Sequence, residues 1–346
     1  MVAGPAPLGA AALGERWVVR HRLADGSATD AVGWIEELGP ERIELSGVDG
    51  ATQQVSPAAV ILARRAPAAL GGPDPRRVPA AELQQRSLPG WLARHEPLGE
   101  WTLRAGDGFT GRANSCLAVG DPGVGVDEAA LRIIAHAGTH GIAPMAQVIT
   151  GSEPELALRA RGWTTTYEAT DVLVVRLTEL LEDRPQSATI EVSETLHDSW
   201  RTAYQLSRPN QADPAVLELI LDGHPPRAFA SRTGSTQPSS TQPGSTPPSS
   251  TPPSSGQPPD GAPAVSIGRG HLSGDWLGLA AIWTDPEHRR TGLATAVLIA
   301  LGHWGARRGA RYAYLQVAVA NRPAHQANER LGFVRHHAYG YLRPPD

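Results

Sequence analysis

Between Ser235 and Pro259 the chain runs STQPS-STQPG-STPPS-STPPS-SGQPP, a five-residue repeat that, proline aside, has no aliphatic, aromatic or charged side chain. Such a stretch buries too little apolar surface to offset its ordering entropy, so it is expected to be disordered with local polyproline character. Everything that folds must therefore fold around it. On its two sides Arg227-Ala-Phe-Ala-Ser231 and Ala264-Val-Ser-Ile-Gly-Arg-Gly-His-Leu272 read as short strands. Loop closure entropy grows slowly with length, so a hairpin tip tolerates a long insert. The expectation is one β-hairpin within a single domain, interrupted over 233–262, rather than two domains and a linker.

With 346 residues, the length suggests two or three domains. Arg16–Arg20, Ala31–Ile35, Arg42–Ser46 and Val60–Ala63 are short alternating segments divided by turn signals such as Asp25-Gly26 and Asp49-Gly50. This predicts a small SH3-like β-barrel over 15–66. Its six Arg against eight acidic residues leave it at −2. A nucleic-acid module should present a basic face, so the charge argues for packing or protein contact instead. Residues 1–14 lack a basic n-region and read as a disordered tail rather than a signal peptide, and 67–89 reads as a linker. No apolar run approaches the ~18–20 residues that span a bilayer. The expected location is the cytoplasm, with no membrane partner.

The stretch 90–177 alternates strands (Glu100–Arg104, Asn114–Val119, Pro144–Thr150, Asp171–Leu177) with helices (Val126–His140, Glu153–Arg161). The stretch 187–346 has the same rhythm on a longer scale and ends in a strand near Arg335–Leu342. That alternation argues for an α/β (α+β) architecture. The chemistry available is narrowed by composition. All 31 cationic residues are Arg, which removes a phosphate-loop lysine, a Schiff-base lysine and a lysine base. Cys116 is the single cysteine, which excludes an intramolecular disulfide and a Cys-based zinc cluster, and no metal is expected.

The strongest motif is Trp283-Thr-Asp-Pro-Glu-His-Arg-Arg-Thr-Gly-Leu-Ala294, between a buried strand and a long helix. Free N–H groups at a helix N-terminus bind phosphate oxygens, and Gly292 and Ala294 let a pyrophosphate approach the backbone. Two further segments follow in order, Leu315-Gln-Val-Ala-Val-Ala-Asn321 and Glu329-Arg-Leu-Gly-Phe333. Together, over about 187–346, they resemble the GNAT superfamily of acyl-CoA-dependent N-acetyltransferases. With the N-terminal barrel and the segment Gly108-Phe-Thr-Gly-Arg-Ala-Asn-Ser115, the whole chain looks like a high-GC bacterial GNAT family.

The resemblance implies that strand 277–284 splays from strand 312–319 to admit a pantetheine arm. Backbone groups of Ile282, Trp283 and Thr284 would line that slot, those of Ile282 and Thr284 holding the arm and polarising the acetyl carbonyl. Arg289, Arg290, Thr291, Gly292, Leu293, Ala294 and Thr295 would hold the pyrophosphate, and Asn321 would lie near the sulfur. Nine Arg and one acidic residue between Arg289 and Arg343 suit a phosphate-rich ligand. The implied activity is acetyl transfer from acetyl-CoA to a primary amine of a small molecule or protein by direct attack. Nothing in the sequence speaks against a homo-oligomer.

Two positions depart from the family. The usual general-acid Tyr, seven residues after the cofactor Asn, is Asn328, and the carboxylate that often follows the strand Val is Ala318. An amide cannot supply the proton. His325, one helical turn earlier, and Tyr339 and Tyr341 on the last strand are the substitutes on offer. The competing reading is a CoA-binding regulatory module with impaired turnover.

The middle block reads as a worn copy of the last. Ala146-Gln-Val148 parallels Leu315-Gln-Val317, and Ala157-Leu-Arg-Ala-Arg-Gly-Trp163 parallels Ala327-Asn-Glu-Arg-Leu-Gly-Phe333. Aligning Asp121-Pro122 with Asp285-Pro286 puts Glu128 at the place of Gly292, with Asp127 before it. Carboxylates there satisfy the helix dipole and repel a pyrophosphate, so the first half of this tandem is expected to bind no CoA. Its Gly-rich tip, with Phe109, Arg112 and Asn114, is suited to gripping a polar substrate over the active half.

Overall fold

The computed structural model describes residues 12–13, 15–47, 51–66, 72–208, 213–234 and 263–345. Both the expected N-terminal tail, apart from two residues, and the Pro/Ser/Thr insert from 235 to 262 lie outside them.

Alternation of apolar and polar residues builds the first unit. β1 (Arg16–Arg22), β2 (Ala28–Leu38), β3 (Ile43–Ser46), β4 (Thr52–Val55) and β5 (Val60–Arg65) form an antiparallel sheet in the order β4-β3-β2-β1-β5. Val19, Ile35, Ile43, Leu45 and Val55 make its core. The strand β4, TQQV, escapes hydrophobic patterning because only Val55 is buried. In the stretch expected as a linker lies α1 (Ala80–Ser87), which buries Leu83 and Gln84. One Leu in eight residues is too weak a stripe to predict a helix.

The rest of the chain shares one sheet. The first half contributes β6 (Arg94–Leu98), β7 (Trp101–Ala105), β8 (Cys116–Ala118), α2 (Val126–Thr139), β9 (Ala146–Ile149), α3 (Glu153–Arg159), β10 (Thr164–Arg176) and the short α4 (Leu177–Leu181). The second contributes β11 (Glu191–Ser193), α5 (Asp198–Ser207), α6 (Pro214–Leu221), β12 (Arg227–Thr233), β13 (Ala264–Ser273) and β14 (Trp276–Thr284). It closes with α7 (Leu293–Arg307), β15 (Tyr312–Ala318), α8 (Arg322–Glu329) and β16 (Val334–Arg343). β12 and β13 pair antiparallel, with Thr233 opposite Ala264 at the two ends of the insert.

The eleven strands run β11-β12-β13-β14-β15-β10-β16-β9-β8-β7-β6. The last strands of the two halves have changed places. β10, from the first half, pairs with β15 of the second, and β16 pairs with β9 of the first. The two exchanged strands also pair with each other, Thr170 facing Tyr339. β10 can lie in the middle of such a sheet because Val172, Leu173, Val174 and Val175 are apolar on both faces.

Against one face pack α7 and α8, over Val297, Leu301, Trp304, Leu315 and Phe333. On the opposite face α5 and α6 bury Trp200, Tyr204, Ile220 and Phe229. The C-terminal carbonyls of α6 are satisfied by buried Arg269, whose Nε donates to Leu221 O at 2.8 Å while Nη1 donates to Gly90 O at 2.7 Å. Among the described residues, no helix is long and apolar enough to cross a membrane.

Candidate active site

A slot opens where two parallel strands part. β14 and β15 are paired from Trp276 opposite Tyr312 to Leu279 opposite Leu315, and no further. Beyond Leu279 the register of β14 against β13 slips by one residue, and Ala281 sits at φ 54°. This bulge puts an extra residue into β14 and turns it away from β15. Asp285 N–H donates to Val265 O on β13 at 2.8 Å. By strand alternation, the backbone groups of Ile282 and Thr284 therefore face the other way, into the slot. The Trp283 ring packs with the α5/α6 cluster instead.

The loop that follows is tied down by its own polar groups. Asp285 Oδ1 accepts from Glu287 N–H at 2.9 Å, Arg289 Nε donates to Thr284 O at 3.2 Å, and Thr291 Oγ1 donates to His288 O at 2.6 Å. Arg290 has φ 66° and Gly292 φ 84°. The left-handed residue at 292 starts α7 with no side-chain cap and no acidic residue in the first turn. The N–H groups of Leu293, Ala294 and Thr295 thus open toward solvent beside exposed Arg289 and Arg290. Bare donors, two guanidinium groups and a first turn of α7 without a carboxylate fit a pyrophosphate. Asn321 caps α8, its Oδ1 accepting from Ala324 N–H at 3.2 Å.

A cavity of about 370 Å³ lies on the opposite face, walled by Phe109, Arg112, Tyr167, Arg208, Tyr339 and Tyr341. Thr170, also in its wall, is the register partner of Ala318, so one strand separates cavity from slot. Arg112 Nε donates to Tyr339 Oη at 3.0 Å, and the guanidinium stacks over Trp91 at 4.6 Å. Gly111 touches Tyr341, and a Cβ there would come within 3.0 Å of its ring. Burial, with Tyr339 adding to it, pushes the Tyr341 hydroxyl well above the ordinary tyrosine value. It is a proton donor, not a base, at neutral pH.

Of the residues expected to grip substrate, Phe109 and Arg112 are in the wall and Asn114 is not. Its amide is consumed by the loop, accepting from Gly106 N–H at 2.8 Å and donating to Phe109 O at 2.7 Å. The loop's far end is held by buried Arg104, bonded to Ser115 Oγ at 2.7 Å and Gln147 Oε1 at 2.8 Å. Burial pushes that guanidinium down to about 10, so it is still charged at neutrality.

His325 lies on the α8 face, away from Tyr339 and Tyr341. Its Nε2 is buried without a hydrogen bond, 3.8 Å from Asp171 Oδ2, while Arg335 Nε donates to Asp171 Oδ1 at 2.7 Å. Asp171 is the register partner of Val317. It therefore faces α8, opposite to the cavity face that Ala318 shares with Thr170, and does not replace the carboxylate missing at Ala318. Sequence reasoning passes over Asp171 because it looks only along the strand; the signal available was a lone carboxylate opening the apolar run Asp171-Val-Leu-Val-Val175.

Two family models match the chain. Residues 262–342 match one described as the C-terminal part of a probable histone acetyltransferase, Rv0428c, and residues 11–64 match the N-terminal Sm-like domain of the same protein. The acetyltransferase match falls on the mixed α/β domain that carries the slot. The small β-unit ahead of it, expected as SH3-like, is described by its match as Sm-like. No curated protein matches. Among solved structures, a GCN5-related N-acetyltransferase from Kribbella flavida is 18% identical with a TM-score of 0.49, covering 77% of this chain and 96% of that one. A tandem GNAT protein from the clavulanic acid biosynthesis pathway is 14% identical with a TM-score of 0.44, covering 63% and 69%. The aminoglycoside acetyltransferase AAC(6')-Iy, in complex with a bisubstrate analogue, is 17% identical with a TM-score of 0.31, covering 42% and 90%.

Proposed function

We propose that the chain is an acetyl-CoA-dependent N-acetyltransferase with one cofactor site, in the second half, and an acceptor site built from both halves. The observation that carries this reading is the slot between β14 and β15 leading to the uncapped, acid-free start of α7. Acetyl-CoA, when bound, supplies an activated acetyl carbon. The N–H groups of the α7 first turn, with Arg289 and Arg290, hold its pyrophosphate. The backbone of Ile282 and Thr284 holds the pantetheine arm and polarises the thioester carbonyl. Asn321 contacts the arm near the sulfur. The amine enters through the cavity and attacks directly, and Tyr341 or Tyr339 returns a proton to the departing thiolate. The functional unit spans 90–346, since each half borrows a strand from the other.

Asn328 and Ala318 favour a second reading, a module that binds CoA without turnover. Calorimetry with acetyl-CoA, followed by thiol release across an amine panel, separates the two. Binding with turnover supports the enzyme, binding without turnover on any amine supports the module, and no binding overturns both.

A further inference from the structure

We infer that the acceptor carries a compact oxyanion, a carboxylate or a phosphate, close to its amine, and that Arg112 and Arg208 hold it. This rests on the acetyltransferase reading above and names the class of its acceptor. The ~370 Å³ cavity has two arginines in its wall and no Asp or Glu. Among the described residues neither arginine has a carboxylate partner, although the chain has 35 acidic residues for 31 arginines and pairs many others, such as Arg311 with Asp275 and Arg227 with Asp222.

Both guanidinium groups are also preorganised. Arg112 lies over the Trp91 ring at 4.6 Å with its Nε committed to Tyr339 Oη, and Arg208 lies over the Tyr204 ring at 5.3 Å. A stacked guanidinium with its remaining N–H edge free is suited to bidentate binding of a carboxylate or phosphate. Thr110, Thr170 and the tyrosine hydroxyls add neutral polar contacts around it. The volume is near the small end of the ~300–1,000 Å³ of small-molecule sites, so the occupant is a small molecule or a chain terminus. A polycation or lysine-rich tail would bring like charge to two guanidinium groups in a half-enclosed site, which disfavours it.

The test uses the full chain saturated with acetyl-CoA and matched acceptor pairs. Glycine is compared with glycinamide, O-phosphoethanolamine with ethanolamine, and spermidine and a lysine-rich peptide serve as cationic controls. Thiol release should favour the anionic member of at least one pair by about tenfold or more in kcat/KM, the scale of one charge-assisted hydrogen bond. The pair that responds identifies carboxylate or phosphate. Arg208→Gln should raise KM for that acceptor about tenfold while acetyl-CoA affinity stays unchanged. Arg208 is exposed, so this variant does not depend on the packing that Arg112→Gln would disturb. Should turnover be absent, calorimetry of N-acetylglycine and of inorganic phosphate with CoA-loaded protein and its Arg208→Gln variant reads the same site. Neutral or cationic acceptors used equally well or better, or anion binding that Arg208→Gln leaves unchanged, overturns the inference. Failure of acetyl-CoA itself to bind instead overturns the acetyltransferase reading.

Discussion

The two halves repeat one set of elements and put them to different ends. In the second half, β14 leaves β15 after Leu279, and α7 starts on a left-handed glycine with bare N–H groups. In the first half, β8 stays paired with β9 through Ala118 opposite Val148, the counterpart of Val317, two residues further along than in the open copy. There α2 starts with Asp127 and Glu128, and Asp127 is bonded in turn to Arg161. A bulge, one φ angle and two carboxylates therefore separate an open slot from a closed wall. Fold alone does not make a half functional; the proposed site rests on these few local departures.

The sharpest way to break the comparison is to separate the halves. A fragment 187–346 lacks β10, so β15 and β16 lose the strand between them and expose paired edges. It is expected to be insoluble or unfolded, which circular dichroism and gel filtration would reveal; a stable, CoA-binding fragment would contradict the exchange. Next comes conversion of the open half toward the closed one. Gly292→Glu places a carboxylate at the pyrophosphate position and a side chain at φ 84°. Acetyl-CoA affinity by calorimetry should fall about 100-fold or more.

A smaller effect tests the cavity. Tyr341→Phe removes a hydroxyl that burial keeps protonated, so kcat should drop by about 100-fold if that group is the proton donor. Because its folded value is raised, the wild-type rate should not fall until well above the ordinary tyrosine range. Equal activity in Tyr341→Phe would leave the role to Tyr339.

The pH dependence of stability gives a further check. His271, bonded to Tyr314 Oη at 2.9 Å, is pushed down to about 3 by burial, and His337 is pushed down to about 4 by burial with His336 beside it. Unfolding lets both take up protons at the ordinary histidine value near 6.5. Stability should be full above that pH and decline as pH falls toward about 4 and then 3. Thermal denaturation across that range would test it, and His271→Gln should flatten the slope. The smallest effect is expected of Asp127→Asn, which removes a solvent-exposed ion pair with Arg161 and should leave thermal stability essentially unchanged. It should leave binding at one CoA per chain, since the β8–β9 wall stays closed.

Much of this was legible because it is local. The loop from Trp283 to Ala294, the strand–helix rhythm and the repeat of Gln147 and Gln316 are patterns within short windows. The exchange of β10 and β16 was not, because hydrophobic periodicity says that Val172–Val175 is buried but not which strand lies beside it. For the same reason Asp171 went unseen as a neighbour of Val317. Asn114 was misread because its value lies in bonds to Gly106 and Phe109 that no residue type announces. The polar strand β4 and the short α1 carry too few apolar residues to register.

The strand exchange also sets an order of events on the ribosome. Arg112 and Tyr339, joined across the cavity, are 227 positions apart. While the second half is being made, the first waits with β9 unpaired on one side and β10 without either of its neighbours. Such an arrangement cannot mature one repeat at a time, and contacts this distant form slowly. Nascent chains stalled before β16 would present open strand edges to chaperones and proteases, so incomplete products are marked for removal by the same exchange that joins the finished halves.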